Sequence, residues 1–419
     1  MSGIHSLRGL ALALGVVGLA GSCTVPDTDL VAPAATRGDM FGSYVAIGNS
    51  ITAGFQSSGI IDSTQRRSYA YLLALSMGTR FAYPSIAGRG CPPLVTNFQT
   101  QARPAGTSAG TCDLRNAATA EILNNVAVPG AWSIDPTVNS SATSNTLTTL
   151  FLGGKSQVQR AMMAKPTFAS VWIGNNDLLG PAVSSGGTAT SLATITSQTA
   201  FEANYNAMID SLLKSNAGMK GVLVGVVNVV NAPIMFSADA FATVAGFKAT
   251  FDAIACGGTP NSCAATGNVT LLDASCTTAP GNTALINTFL AHQIRAGAHP
   301  SIIACAAGIY PAPVGDILIL TAAEQATVTA AVTAYNTYIS NKATALGWAY
   351  YDLNPTLVTL KSAGIVVRRT PNYLVATGSF GTGMSLDGVH PSASVHLTIA
   401  NALITAINTK YGTALPAAY

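Results

Sequence analysis

Two predominantly apolar runs rich in valine and isoleucine, Phe168 to Ile173 and Val222 to Val230, broken only by Ser170 in the first and Gly225 and Asn228 in the second, constrain this chain more than any other feature. A strand with one wet face alternates apolar and polar residues, so a run without that alternation suits a strand covered on both faces of a parallel sheet. Tyr44 to Gly48 and Trp348 to Leu353 read as further strands. Between the runs the apolar spacing turns helical. Arg66 to Met77 places Tyr69, Leu72 and Leu73 on one side, and Phe201 to Ser215 repeats the pattern through Tyr205, Met208, Ile209 and Leu212. Thr321-Ala322-Ala323-Glu324 has the form of a capping box and opens a helix to about Leu346. Strands alternating with helices predict an α/β fold, a doubly wound, mostly parallel sheet flanked by helices.

Composition narrows the function classes. The 419 residues carry 20 basic and 17 acidic side chains, and a formal net charge of +3. That balance lacks the concentrated basic face that nucleic acid requires, so no nucleic-acid partner is expected. Arg66-Arg67 and Arg368-Arg369 read as solvated surface pairs.

Arg8, the apolar run Gly9 to Ala20 and then Gly21-Ser22-Cys23 read as an export signal over residues 1–22, the run being too short to span a bilayer. Small residues before a cysteine resemble a bacterial lipobox, although Leu19 sits one place further from the cysteine than that pattern prefers. Cys23 would then be the lipidated first residue of an exported cell-envelope protein facing the periplasm or the exterior. Membrane contact would run through that anchor only; ordinary cleavage would leave Cys23 free. Residues 23–40, with Pro26, Pro33 and Gly38, read as a tether.

Six further cysteines, Cys91, Cys112, Cys256, Cys263, Cys276 and Cys305, suit disulfides in an exported protein. Neighbours in sequence favour Cys91 with Cys112, Cys256 with Cys263 and Cys276 with Cys305. No Cys-x-x-Cys pair exists, and His292 and His299 lack common zinc spacing, so no metal is expected. Residues 41–411 are read as one domain with a tail at 412–419. Two stretches, about 92–121 and 236–316, read as cysteine-containing insertions bordering the mouth of a site.

Chemistry concentrates in four short blocks. Gly48-Asn49-Ser50 follows the first strand, placing a serine where the chain must turn. Asn125 to Gly130, Gly174-Asn175-Asn176-Asp177 and Asp387-Gly388-Val389-His390-Pro391 follow in that order. A serine hydroxyl is a poor nucleophile until a base takes its proton. His390 is the suitable base, because His5 lies in the signal while His292, His299 and His396 lack an acidic residue three places earlier. Asp387 is spaced to reach its Nδ1 and fix the tautomer. Pro391 should set His390 just ahead of a helix from Ser392 to Asn408.

In this order the blocks resemble the SGNH branch of the GDSL esterases and lipases, over residues 44 to 391. The resemblance implies a flavodoxin-like α/β fold and a serine esterase without cofactor, acting on a lipid, an acylated glycan or a small acyl ester. It assigns Ser50, His390 and Asp387 to catalysis. It assigns an oxyanion hole to the backbone N–H groups of Ser50 and Gly130 and the side-chain amide of Asn176. Asn49, Asn125 and Asp177 are read as loop-shaping support. Where the family pattern has Gly-Asp-Ser this chain has Asn49, which removes a charge but can still stabilise the turn. Acyl transfer to, or deacetylation of, a glycan would use the same residues. A surface-binding lipoprotein with an inactive site is the reading from another class.

Overall fold

The computed structural model describes residues 38–113, 115, 120–138, 147–184, 192–257, 271–272, 284–297, 302–303, 319–367 and 369–419. The expected signal, Cys23, most of the tether, Cys263, Cys276, Cys305 and Arg368 lie outside the described residues. The elements that position the site are, in chain order, β1 (Tyr44–Gly48), α1 (Ser50–Ala53), α2 (Tyr69–Met77), α3 (Gln157–Met163), β2 (Phe168–Trp172) and α4 (Asn176–Leu179). They continue with α5 (Gln198–Ser215), β3 (Lys220–Val224), α6 (Ala322–Leu346), β4 (Ala349–Tyr351), α7 (Asn354–Ser362) and α8 (Ala393–Tyr411).

The four strands form one parallel sheet in the order β1-β2-β3-β4. A strand-like stretch around Asn125 extends it on the free side of β1: Ala46 N–H donates to the Asn124 carbonyl, and the Val126 and Val128 N–H groups donate to Ala46 and Gly48. The chain therefore leaves β1 first to one side and then, with β2, to the other. Such a reversal opens a crevice at the carboxyl ends of the strands, where open α/β sheets bind ligands. Ser50 sits at that point.

Both faces are covered, as the non-alternating apolar runs require. Tyr44 and Ala46 of β1, with Phe168 and Trp172 of β2, join a core with Leu73 of α2 and Leu403 of α8. Val45 and Ile47, with Ala169 and Val171, join a second core with Met208 of α5 and Val332 of α6. Fully burying one such aliphatic side chain contributes roughly 1.5–3 kcal/mol, so the two layers hold the sheet edge rigidly beneath the site. Among the described residues no helix is long and apolar enough to cross a membrane.

Several boundaries differ from the sequence expectation, each for a local reason. The run from Val222 to Val230 leaves the sheet after Val224, because the Asn336 side chain takes over both the N–H and the carbonyl of Val226. The helix expected over Arg66 to Met77 starts at Tyr69, where Ser68 accepts from Tyr71 N–H as its cap. Pro391 is not in the first turn of α8: Ser392 is the cap, and Pro391 bridges back to Met384. The tether ends earlier than expected, since Asp39–Phe41 forms a one-turn helix with Phe41 buried.

The disulfide Cys91–Cys112 closes the first insertion. Cys256 is also disulfide-bonded. The second insertion has regular structure of its own. It carries helices Phe247–Ala255 and Leu290–Arg295 and a three-stranded antiparallel sheet of Met235–Ser237, Leu285–Asn287 and Ile319–Leu320. The rings of Phe236, Phe241, Phe247 and Phe251 pack on one another and on Tyr373, tying this subregion to the main core.

Candidate active site

Ser50 opens α1 directly beyond β1. Gly48 is needed there because any Cβ would collide with the Thr52 side chain and come within 2.8 Å of the Trp172 carbonyl. Asn49 caps the helix, its Oδ1 accepting from Ile51 N–H at 3.2 Å, which is the turn-stabilising role open to an asparagine. As the first residue of a helix, Ser50 has an N–H without an intrahelical acceptor.

His390 reaches Ser50 across 340 positions of sequence, with Nε2 2.7 Å from Oγ. Its Nδ1 lies 2.8 Å from Asp387 Oδ2. With the ring proton on Nδ1, that nitrogen donates to the carboxylate and Ser50 Oγ donates to Nε2. The Phe55 ring packs 4.9 Å from the imidazole. Gly388 permits the tight loop: its φ is +67°, and a Cβ would press on the Phe380 ring at 2.8 Å.

The Asp387 carboxylate also accepts from Ser385 Oγ and from the N–H groups of Val389, His390 and Ser58. Burial pushes its pKa up, but the facing His390 charge and these hydrogen bonds outweigh it and hold the carboxyl well below the usual range. The Ser58 donor comes from a hairpin turn closed by paired bonds between Gln56 and Gly59. Ser57 and Ser58 there have φ of 49° and 53°. Left-handed angles at both central positions normally call for Asn-Gly. The strained pair is held from the other side, since Ser57 N–H donates to Ser385 Oγ and Leu386 N–H donates to Ser57 Oγ.

Asn176 opens α4 beyond β2, its Nδ2 donating to the Ala131 carbonyl at 2.9 Å. Next to it, buried Asp177 accepts from the N–H and hydroxyl of Ser133. These bonds staple the 131–133 loop, and with it Gly130, to α4. Gly130 has a φ of +81° and is solvent-exposed; the register of the 124–128 stretch brings it to the same sheet edge as Ser50. Asn125 is buried, donating from Nδ2 to the Thr52 carbonyl below α1 and accepting from Ala127 N–H.

Ser50, His390, Asn49 and Asn176 line one cavity, whereas Gly130 is not part of its wall. The rest of the wall is mainly apolar, from Val227, Val229, Leu357 and Met384 among others, with Lys361 the cationic member. Burial lowers the Lys361 pKa. None of the described residues of 92–121 or 236–316 lines the cavity. The first insertion stands one layer back, where Val95 N–H donates to the Ser57 carbonyl, and the second packs on the first, with His292 Nε2 2.9 Å from the Phe98 carbonyl. Sequence reasoning had missed the Ser57–Ser58 turn and Ser385. A Ser-x-Asp spacing ahead of His390 was the available signal.

A family model described as GDSL-like Lipase/Acylhydrolase matches residues 44–403. The chain belongs to this family. As a GDSL-like lipase/acylhydrolase it is a hydrolase whose general chemistry is ester hydrolysis. No curated protein matches it at a significant level. Among solved structures it is similar to the extracellular lipase from Streptomyces rimosus, at 14% identity over 87% of this chain and 99% of that one, with a TM-score of 0.35.

Proposed function

We propose that this GDSL-family hydrolase is a serine esterase that cleaves carboxylic esters through an acyl-serine intermediate. Ser50 is the nucleophile, His390 the general base and acid, and Asp387 the group that orients it. The unbroken relay from Ser50 Oγ to His390 Nε2 and from Nδ1 to Asp387 carries this reading.

His390 takes the Ser50 proton as Oγ bonds to the ester carbonyl carbon. The carbonyl electron pair moves onto oxygen. The donors assigned to that oxyanion are the Ser50 N–H and the second Nδ2 hydrogen of Asn176, the one not held by Ala131, on the cavity wall, with the Gly130 N–H from the neighbouring loop at the same sheet edge. One such donor typically supplies about 2.7–4 kcal/mol. Collapse of the adduct breaks the bond to the alcohol oxygen, which leaves with the proton from imidazolium. Water, deprotonated by His390, then attacks the acyl carbon, and Ser50 recovers its proton as the acid departs. Asp387, ionised through any neutral range because its pKa is depressed, stabilises each imidazolium that forms.

The test is labelling with a fluorophosphonate probe alongside hydrolysis of p-nitrophenyl butyrate. The wild-type chain should be labelled at Ser50 and hydrolyse the ester; Ser50→Ala and His390→Ala should each lose activity by at least about 10³-fold. Hydrolysis that survives both changes would reject the assignment.

A further inference from the structure

Resting on the esterase reading above, we propose that Asn231, Leu357 and Lys361 form a partition that limits the length of the acyl chain, so the enzyme prefers short to medium aliphatic esters. The cavity holding Ser50 has an apolar wall that continues past the sheet onto α7. Leu353 at its cap, Leu357 and Lys361 stand four residues apart and so share one face. Ser50 follows β1 and Leu353 follows β4, three strand spacings away, or about 14 Å. An acyl group bonded to Ser50 has that apolar path along the sheet edge.

A second cavity begins where the first ends. It is lined by Asn231, Asn354, Leu357, Val358, Lys361 and Ser362, and shares Asn231, Leu357 and Lys361 with the first. Those three side chains are thus a wall with space on both sides. Leu357 and the four-carbon stem of Lys361 supply apolar surface to the first cavity, while its ammonium group makes passage of a hydrocarbon unfavourable. Removing one of them should join the compartments without adding chemistry at Ser50. The partition sets length, not reactivity.

The experiment compares kcat/KM for p-nitrophenyl acetate, butyrate, octanoate and dodecanoate in wild type, Leu357→Ala, Lys361→Ala and Lys361→Met. The dodecanoate-to-butyrate ratio should rise about 10-fold or more in Leu357→Ala and Lys361→Ala. In Lys361→Met, which keeps the stem and removes the charge, it should rise by less. Fluorophosphonate labelling of Ser50 identifies intact variants, and Leu357→Val replaces Leu357→Ala if the latter is unlabelled. Ratios unchanged within about twofold in labelled variants would overturn the partition while leaving the esterase reading intact. Hydrolysis surviving Ser50→Ala would instead remove the reading on which it rests.

Discussion

Asp177 and Asp387 are both buried near the carboxyl edge of the sheet, one in α4 and one in the loop before α8, yet their acidities move in opposite directions. Burial is the largest influence on each, and it raises both. The donors Asp177 meets are neutral, chiefly Ser133, and do not offset its burial, so its pKa stays raised. Asp387 faces a histidine that can carry charge and accepts several N–H and O–H bonds, so its pKa falls. Burial by itself therefore does not set the acidity of a carboxylate; the partner across from it decides. The strained Ser57–Ser58 turn belongs to this contrast, because it delivers a backbone donor to Asp387 that a relaxed turn at that point would aim elsewhere.

The contrast can be broken most sharply at Asp387. Asp387→Asn should keep the fold but lower kcat by about 10⁴-fold, since an amide favours the wrong imidazole tautomer; steady-state kinetics with a melting curve checks both halves. If kcat hardly changes, the two aspartates are alike after all. Next in size is Ser133→Ala. It removes a donor from Asp177 and the acceptor of Asn204 Nδ2, and should cost about 1–3 kcal/mol in chemical denaturation with a much smaller loss of kcat than at Asp387.

The smallest effect concerns pH. The Asp135 carboxyl is raised from its ordinary 3.8 to about 6, by burial first and then by the Asp177 charge, against a hydrogen bond from Trp132 N–H. A raised carboxyl pKa means the folded state holds more protons between those values, so this contribution to stability is present below about pH 4 and is lost as pH rises to about 6. With solvent screening it amounts to about 1–2 kcal/mol. Asp135→Asn should flatten that part of the Tm-against-pH curve by a few degrees. Asp387 acts with the other sign: its contribution is present above its unfolded value and is lost as pH falls toward its depressed native pKa.

Much of the fold was legible because its signals are local. Non-alternating apolar runs located the strands, the capping box at Thr321 and Glu324 formed as read, and the helical spacings found α5 and α6 to within a few residues. Boundaries slipped where a distant side chain intervened, as Asn336 does at Val226. The packing of the second insertion was not legible, because its phenylalanines signal a core only once Tyr373, more than a hundred residues on, is brought against them.

The sequence by itself determined which groups were available: a serine after a strand, a histidine three residues beyond an aspartate, asparagines at strand ends, and apolar runs demanding cover on two faces. Tertiary structure decided which of these meet. The Ser50–His390 contact, the turn behind Asp387 and the wall of Asn231, Leu357 and Lys361 all join residues far apart along the chain. Such contacts are fixed by how two hydrophobic layers pack on one sheet, a property of the whole chain that no local pattern encodes.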